Sequence, residues 1–317
     1  MFGEEREHIR LILHVARRYY VEGLDQRAIA EEIGYSRPTV SRLLTEARER
    51  RIVQFSISHP VEQALELEAG ITARFGLREA AVTSKSVGSQ AVGRLAAQVI
   101  ADRGGPHSVL ALSNGTSVAA VVEEMPSQRW PHSCVIQMVG ALGRADSLML
   151  DSPELCRELA ARLGGTHRPL PAPIVMSSPA AARAIRREEV VLTTLELASR
   201  ADIALCGVGA VGPDGASSGA ILSHHLTTRV VQELRRGRAV GHISGHYFDA
   251  AGKHVKTSLY ERLVAMDPRR LGEIDTSIVV AWGHDKVPAL HGVLQTGFIS
   301  TLITDEPTAR KLLDYRP

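Results

Sequence analysis

Two short stretches carry residue types suited to holding an anion. Ser113-Asn114-Gly115-Thr116-Ser117 follows a β-rich run and opens a helical one. Backbone N–H groups and hydroxyls in that position can cradle a phosphate at a helix N-terminus, and a capped turn without a ligand is the plainer alternative. Trp282-Gly283-His284-Asp285-Lys286 has the same placement between a strand and a helix. Only five of the 37 basic residues are Lys, so Lys286 at the mouth of a helix reads as a ligand contact, with a surface ion pair as the alternative. A third stretch suits a polyanion. Residues 1–60 hold ten Arg against nine acids, yet within 36–51 five Arg (37, 42, 48, 50 and 51) face only Glu46 and Glu49. Positive charge concentrated on one short segment is what a DNA-reading helix requires.

Other apparent motifs carry less. Gly207, Gly209 and Gly212 match GxGxxG after a strand, but Pro213, Gly215 and Gly219 follow. The dinucleotide fingerprint needs a helix there, so a loop bordering a pocket is the better reading. His242 and His246 lie four apart in a strand-like GHISGHYF context with no third ligand nearby, which does not make a metal site. Cys134, Cys156 and Cys206 are widely spaced among apolar neighbours and read as small buried hydrophobes. No nucleophile elbow or Ser/His/Asp order supports a hydrolase, so no catalytic residue, metal or cofactor is expected.

The elements that must position these residues follow from periodicity and punctuation. Over 5–21, apolar residues at 9, 12, 13, 15, 16, 19 and 20 give a helix with one broad buried face. Asp25 offers an N-cap for a helix over 26–33, Gly34 supplies the turn, and Ser36 caps a third helix whose first turn tolerates Pro38. Ala30, Gly34, Val40 and Leu43 have the spacing of a helix-turn-helix. That arrangement leaves Arg37, Thr39, Ser41, Arg42 and Thr45 facing outward near the start of the second helix, where a major groove is entered. A plain helical hairpin with solvated Arg37 and Arg42 is the alternative. Residues 52–58 alternate like a short strand or wing, and 61–75 look amphipathic, either linking domains, pairing with another copy, or packing on their own domain.

From 78 onward, strand-like runs (80–83, 108–112, 133–139, 167–170, 201–206, 238–243, 276–281, 299–303) alternate with helical ones (87–101, 117–124, 152–163, 188–199, 223–235, 286–295, 308–313). Such alternation specifies a Rossmann-like α/β domain with a largely parallel sheet, whose ligands gather at the carboxyl ends of strands. The expected organisation is a helix-turn-helix domain over 1–58, a linker helix over 59–77 and an α/β domain over 78–317. With 44% hydrophobic and 23% charged residues and a net charge of +2, the chain is of ordinary globular composition. Its longest apolar runs are short and its first residues acidic, so it is expected to be cytoplasmic, with no membrane partner.

In this order, QRAIAEEIGYSRPTVSRLLTEARERRIVQFSI (26–57), LALSNGTSV (110–118), VIQMVGALG (135–143), ADIALCGVG (201–209), AVGHISGHYFDAAG (239–252) and IVVAWGHDKVPALHGVLQTGFISTLITDEPTARKLL (278–313) resemble the SorC family of bacterial sugar-responsive transcription regulators. The resemblance spans nearly the whole chain. It implies an effector domain akin to phosphosugar isomerases, a sugar phosphate or polyol phosphate effector that alters binding to double-stranded operator DNA, and a homodimer or homotetramer. It also implies ligand contacts at Gly115, Thr116 and Ser117 for the phosphate, at Asp249, Lys286 and Arg262 for other polar groups, and a border formed by 140–144. The sequence departs from the family pattern at Asn114, where a large residue such as Trp is common, and at His242, where Asp is usual. The competing class is a phosphosugar-converting enzyme, isomerase-like, with an accessory helical domain.

Overall fold

The computed structural model describes residues 2–53, 60–83, 88–143, 149–212 and 222–317. It divides into two compact units, 1–59 and 60–317. In the first, α1 (Phe2–Tyr20), α2 (Gln26–Ile33) and α3 (Arg37–Glu49) enclose a core of Ile12, Val15, Ile29, Ala30, Val40, Leu43, Leu44 and Ala47. The local chemistry fixes the helix limits. Asp25 accepts from the backbone N–H of Arg27 and Ala28, Gly34 closes α2 at φ 71°, and Ser36 accepts from Thr39 N–H. Most of the strand expected over 52–58 lies outside the described residues.

The second unit begins with α4 (Pro60–Phe75), the helix expected as a linker. Ala64, Leu67 and Ile71 are buried at helical spacing, and Arg74 donates to the carbonyls of Leu312 (2.7 Å) and Tyr315 (2.6 Å) at the chain's end. Seven strands then form one parallel sheet: β1 (Glu79–Thr83), β2 (Val109–Leu112), β3 (Cys134–Gln137), β4 (Thr166–Arg168), β5 (Ile203–Gly207), β10 (Thr276–Val280) and β11 (Thr301–Asp305), in the order β1-β11-β10-β5-β2-β3-β4. Its crossovers carry α5 (Ser89–Arg103), α6 (Thr116–Glu124), α7 (Ser152–Leu163), α8 (Pro179–Ile185), α9 (Glu189–Ala198), α11 (Val287–Leu294) and, at the end, α12 (Glu306–Asp314). Every residue of β10 and β11 is buried, as a sheet covered on both faces requires.

The run expected as a strand over 238–243 belongs elsewhere. It is β7 (Ala239–Ile243), part of a small antiparallel sheet with β6 (Gly209–Ala210), β8 (His246–Asp249) and β9 (His254–Val255); α10 (Thr228–Arg236) leads into it. Ser244 (φ 51°) and Gly245 (φ 85°) join β7 to β8, and two positive φ angles in a two-residue loop match the right-handed twist of a hairpin. Among the described residues no helix is long and apolar enough to cross a membrane.

Candidate functional site

The large sheet has one topological switch. From β2 the chain moves outward through β3 and β4, then returns to place β5 on β2's other side. Crevices outside the carboxyl ends of strands at such a point are where open α/β sheets bind ligands. A cavity of about 140 Å³ lies there. Ser113 to Ser117 enter it directly after β2, Gly207 to Gly209 at the end of β5, Lys286 after β10, and His242, Ser244 and Gly245 from the hairpin. Ser113 N–H donates to the Leu205 carbonyl at 3.0 Å and Gly115 N–H to Leu150 at 3.0 Å, which fixes the loop's path.

The chemistry of this lining is that of an anion site. Gly115, at φ 112° and ψ 171°, is the N-cap of α6, and no side chain caps the helix. The first-turn N–H groups at Thr116 and Ser117 are thereby offered to a bound group, with the helix dipole behind them. Among the described residues Lys286 is the one lining side chain with a full charge, and none of them lines the cavity with a carboxylate. Burial lowers the Lys286 pKa, against a smaller opposing pull from Asp285, so its ammonium is poorly hydrated and suited to an anionic partner.

Two further polar groups face the cavity: Asn114, named in the sequence only as part of its loop and as a departure from the family pattern, and Ser244, which sequence reasoning missed. Asn114 is 6% exposed, and its Nδ2 lacks a hydrogen-bond partner. Ser244 Oγ is likewise unsatisfied, on a residue held at positive φ. A buried donor without an acceptor costs about 1–3 kcal/mol, and strained backbone is retained where the surroundings over-determine it, often at ligand sites. Leu150 completes the wall; neither it nor Ser244 carried a local signal.

The structure brings together Gly115, Thr116, Ser117 and Lys286 of the expected effector set. Asp249 and Arg262 are not among the lining residues. The Asp249 carboxylate accepts from Ala251 N–H (3.0 Å) and Lys253 N–H (2.9 Å), closing the β8–β9 turn, and Arg262 reaches the Met176 carbonyl at 3.5 Å. Gly140 to Gly143 stand back from the lining also, tied by Asp151, which accepts from Leu142 and Gly143 N–H; Arg144 lies outside the described residues. Of the glycines set aside as a nucleotide motif, Gly209 is required by packing. A Cβ on Gly207 would stand 3.4 Å from Ser117 Cβ, and one on Gly209 would stand 1.9 Å from His242 Nε2. Gly209 thus lets β6 close against His242 at the cavity, whereas the space at Gly207 is of ordinary contact size.

Burial pushes the His242 pKa down to about 4, with the Lys286 charge adding to the effect. His246, on β8, is pushed to about 3 by burial and then by His254. Both imidazoles stay neutral in the folded chain while the unfolded chain binds protons below the ordinary value of 6.5. Unfolding free energy is therefore expected to fall as pH drops from 6.5 toward 4, by up to about 1.4 kcal/mol per pH unit per histidine. Denaturant titrations of wild type and His242→Gln across that window check the slope, which the variant should lessen by one proton.

In the N-terminal unit, burial of Val40, Leu43, Leu44 and Ala47 turns the opposite side of α3 to solvent. Arg37, Ser41, Arg42 and Thr45 are exposed, while Thr39 is half-buried with its hydroxyl 2.9 Å from Ser36 Oγ. Thr45 Oγ1 donates back to the Ser41 carbonyl at 3.1 Å. Among the described residues no carboxylate pairs with Arg37 or Arg42, whereas Glu46 is held by Arg50 (2.8 Å) and His8 (3.0 Å). Arg48, counted in the sequence as part of the basic segment but not placed on the outward face, is also exposed, seven residues beyond Ser41 on the same stripe.

A helix-turn-helix with an unneutralised Arg face, on the same chain as an α/β unit with an anion-fitting cavity, defines the class of ligand-responsive transcription regulators. Comparison with known proteins narrows this. The family model described as "Putative sugar-binding domain" matches residues 59–314. The chain is 29% identical over 318 residues to the sorbitol operon regulator of Klebsiella pneumoniae, covering 98% of this chain and 99% of that one. It is 28% identical over 315 residues to the deoxyribonucleoside regulator of Bacillus subtilis (strain 168), with coverage of 98% and 99%. The crystal structure of the full-length K. pneumoniae regulator SorC superposes with a TM-score of 0.74 at 27% identity, covering 97% of this chain and 99% of that one. The chain belongs to the SorC family of sugar-binding transcription regulators.

Proposed function

We propose that this chain is a sequence-specific transcription regulator whose hold on operator DNA is altered by a phosphorylated sugar or polyol bound at the β2/β5 switch point. The observation that carries the reading is the cavity's makeup: an uncapped helix start, one half-buried ammonium and, among the described residues, no carboxylate, which together suit a phosphate. Neutral hydroxyls of the ligand fall to Asn114 and Ser244. Residues Arg37, Ser41, Arg42 and Thr45 read or grip the major groove, Thr39 serves chiefly the helix cap, and Arg48 meets backbone phosphate. The working unit is a homodimer or homotetramer, because paired recognition helices meet half-sites about 10 bp apart or at multiples of that. The relatives that this chain matches are named as regulators, which favours this reading over a phosphosugar-converting enzyme.

Fluorescence anisotropy of the full chain on its own promoter DNA tests the reading. Arg42→Ala is expected to cost about 1–3 kcal/mol on the specific site and little on unrelated DNA. Arg48→Ala should weaken both alike and lower the salt slope by about one. Unchanged specific affinity in Arg37→Ala and Arg42→Ala together would sink the assignment of α3. Addition of sugar phosphates should change the operator affinity where the unphosphorylated sugars do not.

A further inference from the structure

The hairpin that contributes His242 to the effector cavity has a second side. Side chains alternate along β8, and Tyr247 packs on the His242 ring at 4.9 Å, while its neighbours His246 and Phe248 line a different cavity of about 280 Å³. The two cavities share no lining residue. We propose that this second cavity is a small-molecule site for a flat heteroaromatic ring bearing an anionic substituent.

Three observations converge on that class. First, the walls are rings set tilted or edge to face. His246 and His254 lie 5.7 Å apart at 45°, His254 and Tyr260 4.8 Å apart at 75°, and Phe248 and Phe298 6.2 Å apart at 72°. Aromatic quadrupoles favour this tilted packing, and one more ring extends it. A dry cavity of about 150 Å³ already accepts benzene, so the space here takes a substituted ring. Second, His246 is 5% exposed, and its ring nitrogens make no hydrogen bond of ordinary geometry beyond a loose approach to the Met266 backbone; His254 Nε2 also lacks a partner. Burial lowers the pKa of both imidazoles, and a neutral ring nitrogen is a donor or an acceptor according to the tautomer, which suits a ring nitrogen and its neighbouring C–H or N–H edge. Third, the rim is positive. Lys256 and Arg269 are exposed there, and the one carboxylate, Asp267, is already engaged by Arg269 Nε at 3.0 Å. An anionic substituent on the ring therefore points toward Lys256.

The test uses the full chain with carbon-13-labelled histidine and pyridine-3-carboxylate as the probe. At millimolar concentration the probe is expected to raise Tm saturably and to move the His246 and His254 signals. Cyclohexanecarboxylate should do neither, and pyridine-3-carboxamide should bind roughly tenfold more weakly. Lys256→Gln, a surface change that leaves folding intact, should produce the same tenfold loss; Phe298→Leu should abolish the shift, and Lys286→Met in the other cavity should preserve it. Unmoved histidine signals would overturn the proposal. So would equal binding of the saturated acid or the amide, or loss of the effect in Lys286→Met, which would place the probe in the effector cavity instead.

Discussion

Gly209→Ala is expected to abolish the response to a sugar phosphate while leaving operator binding intact. A Cβ at this position would stand 1.9 Å from His242 Nε2 and 2.4 Å from Cε1, and the imidazole is fully enclosed, 6% exposed. The open space beside it is the effector cavity it lines. Overpacking of this kind costs about 1–3 kcal/mol, so the α/β unit should melt lower yet stay folded at low temperature. The ring displaced into a cavity of about 140 Å³ removes the room for a ligand altogether. The recognition helix belongs to the other compact unit, and its affinity for DNA should not follow. Two measurements check this: the Tm shift produced by the best-binding sugar phosphate, and anisotropy on the operator with and without it. Gly105→Ala, where an added Cβ meets nothing within 4 Å, is the control. A full ligand-induced shift in Gly209→Ala would mean that His242 does not wall the effector site.

How far the molecule was legible in its sequence depended on whether a signal was local. The three N-terminal helices were readable because each end carries its own chemistry: Asp25, Gly34 and Ser36 perform the capping their types imply. Most of the parallel strands were readable because burial on both faces makes them short apolar runs between turns; the edge strand β4, Thr-His-Arg and largely exposed, is the exception. The antiparallel sheet was not. Its hairpin turns on Ser244-Gly245 rather than the Asn-Gly or Asp-Gly pairs that announce a two-residue loop, and β8 and β9 span only four and two residues. The same gap explains the site. Gly115, Thr116 and Ser117 form one contiguous motif, but Leu150, Gly209 and Ser244 reach the cavity from separate turns of the chain. Sequence could not reveal that Gly209 is small for His242's sake. Nor could it separate a carboxylate that binds a ligand from one that closes a turn, as Asp249 does.

Lys286→Met tests the charge of the cavity as Gly209→Ala tests its space, and its two effects should have opposite signs. Methionine keeps most of the stem and removes the ammonium. In the ligand-free chain the ammonium sits in a site whose burial lowers its pKa. A base whose folded pKa lies below its unfolded value costs stability at every pH where the unfolded chain keeps it protonated. The Lys286→Met variant should therefore hold or raise the Tm of the free protein. Ligand binding should move the other way. Deleting one member of a charge-assisted pair, here the half-buried Lys286, costs about 1.5–3 kcal/mol, which puts sugar-phosphate affinity down by at least about tenfold. Wild-type affinity should also decline at alkaline pH sooner than an ordinary lysine would dictate, because the free site gives up its proton early, and the variant should lack that decline. Calorimetric titration of both proteins across the alkaline range separates the possibilities. A variant that binds sugar phosphate as tightly as wild type, with the same pH profile, would show that the helix N-terminus alone holds the anion and that Lys286 faces the cavity without touching its occupant.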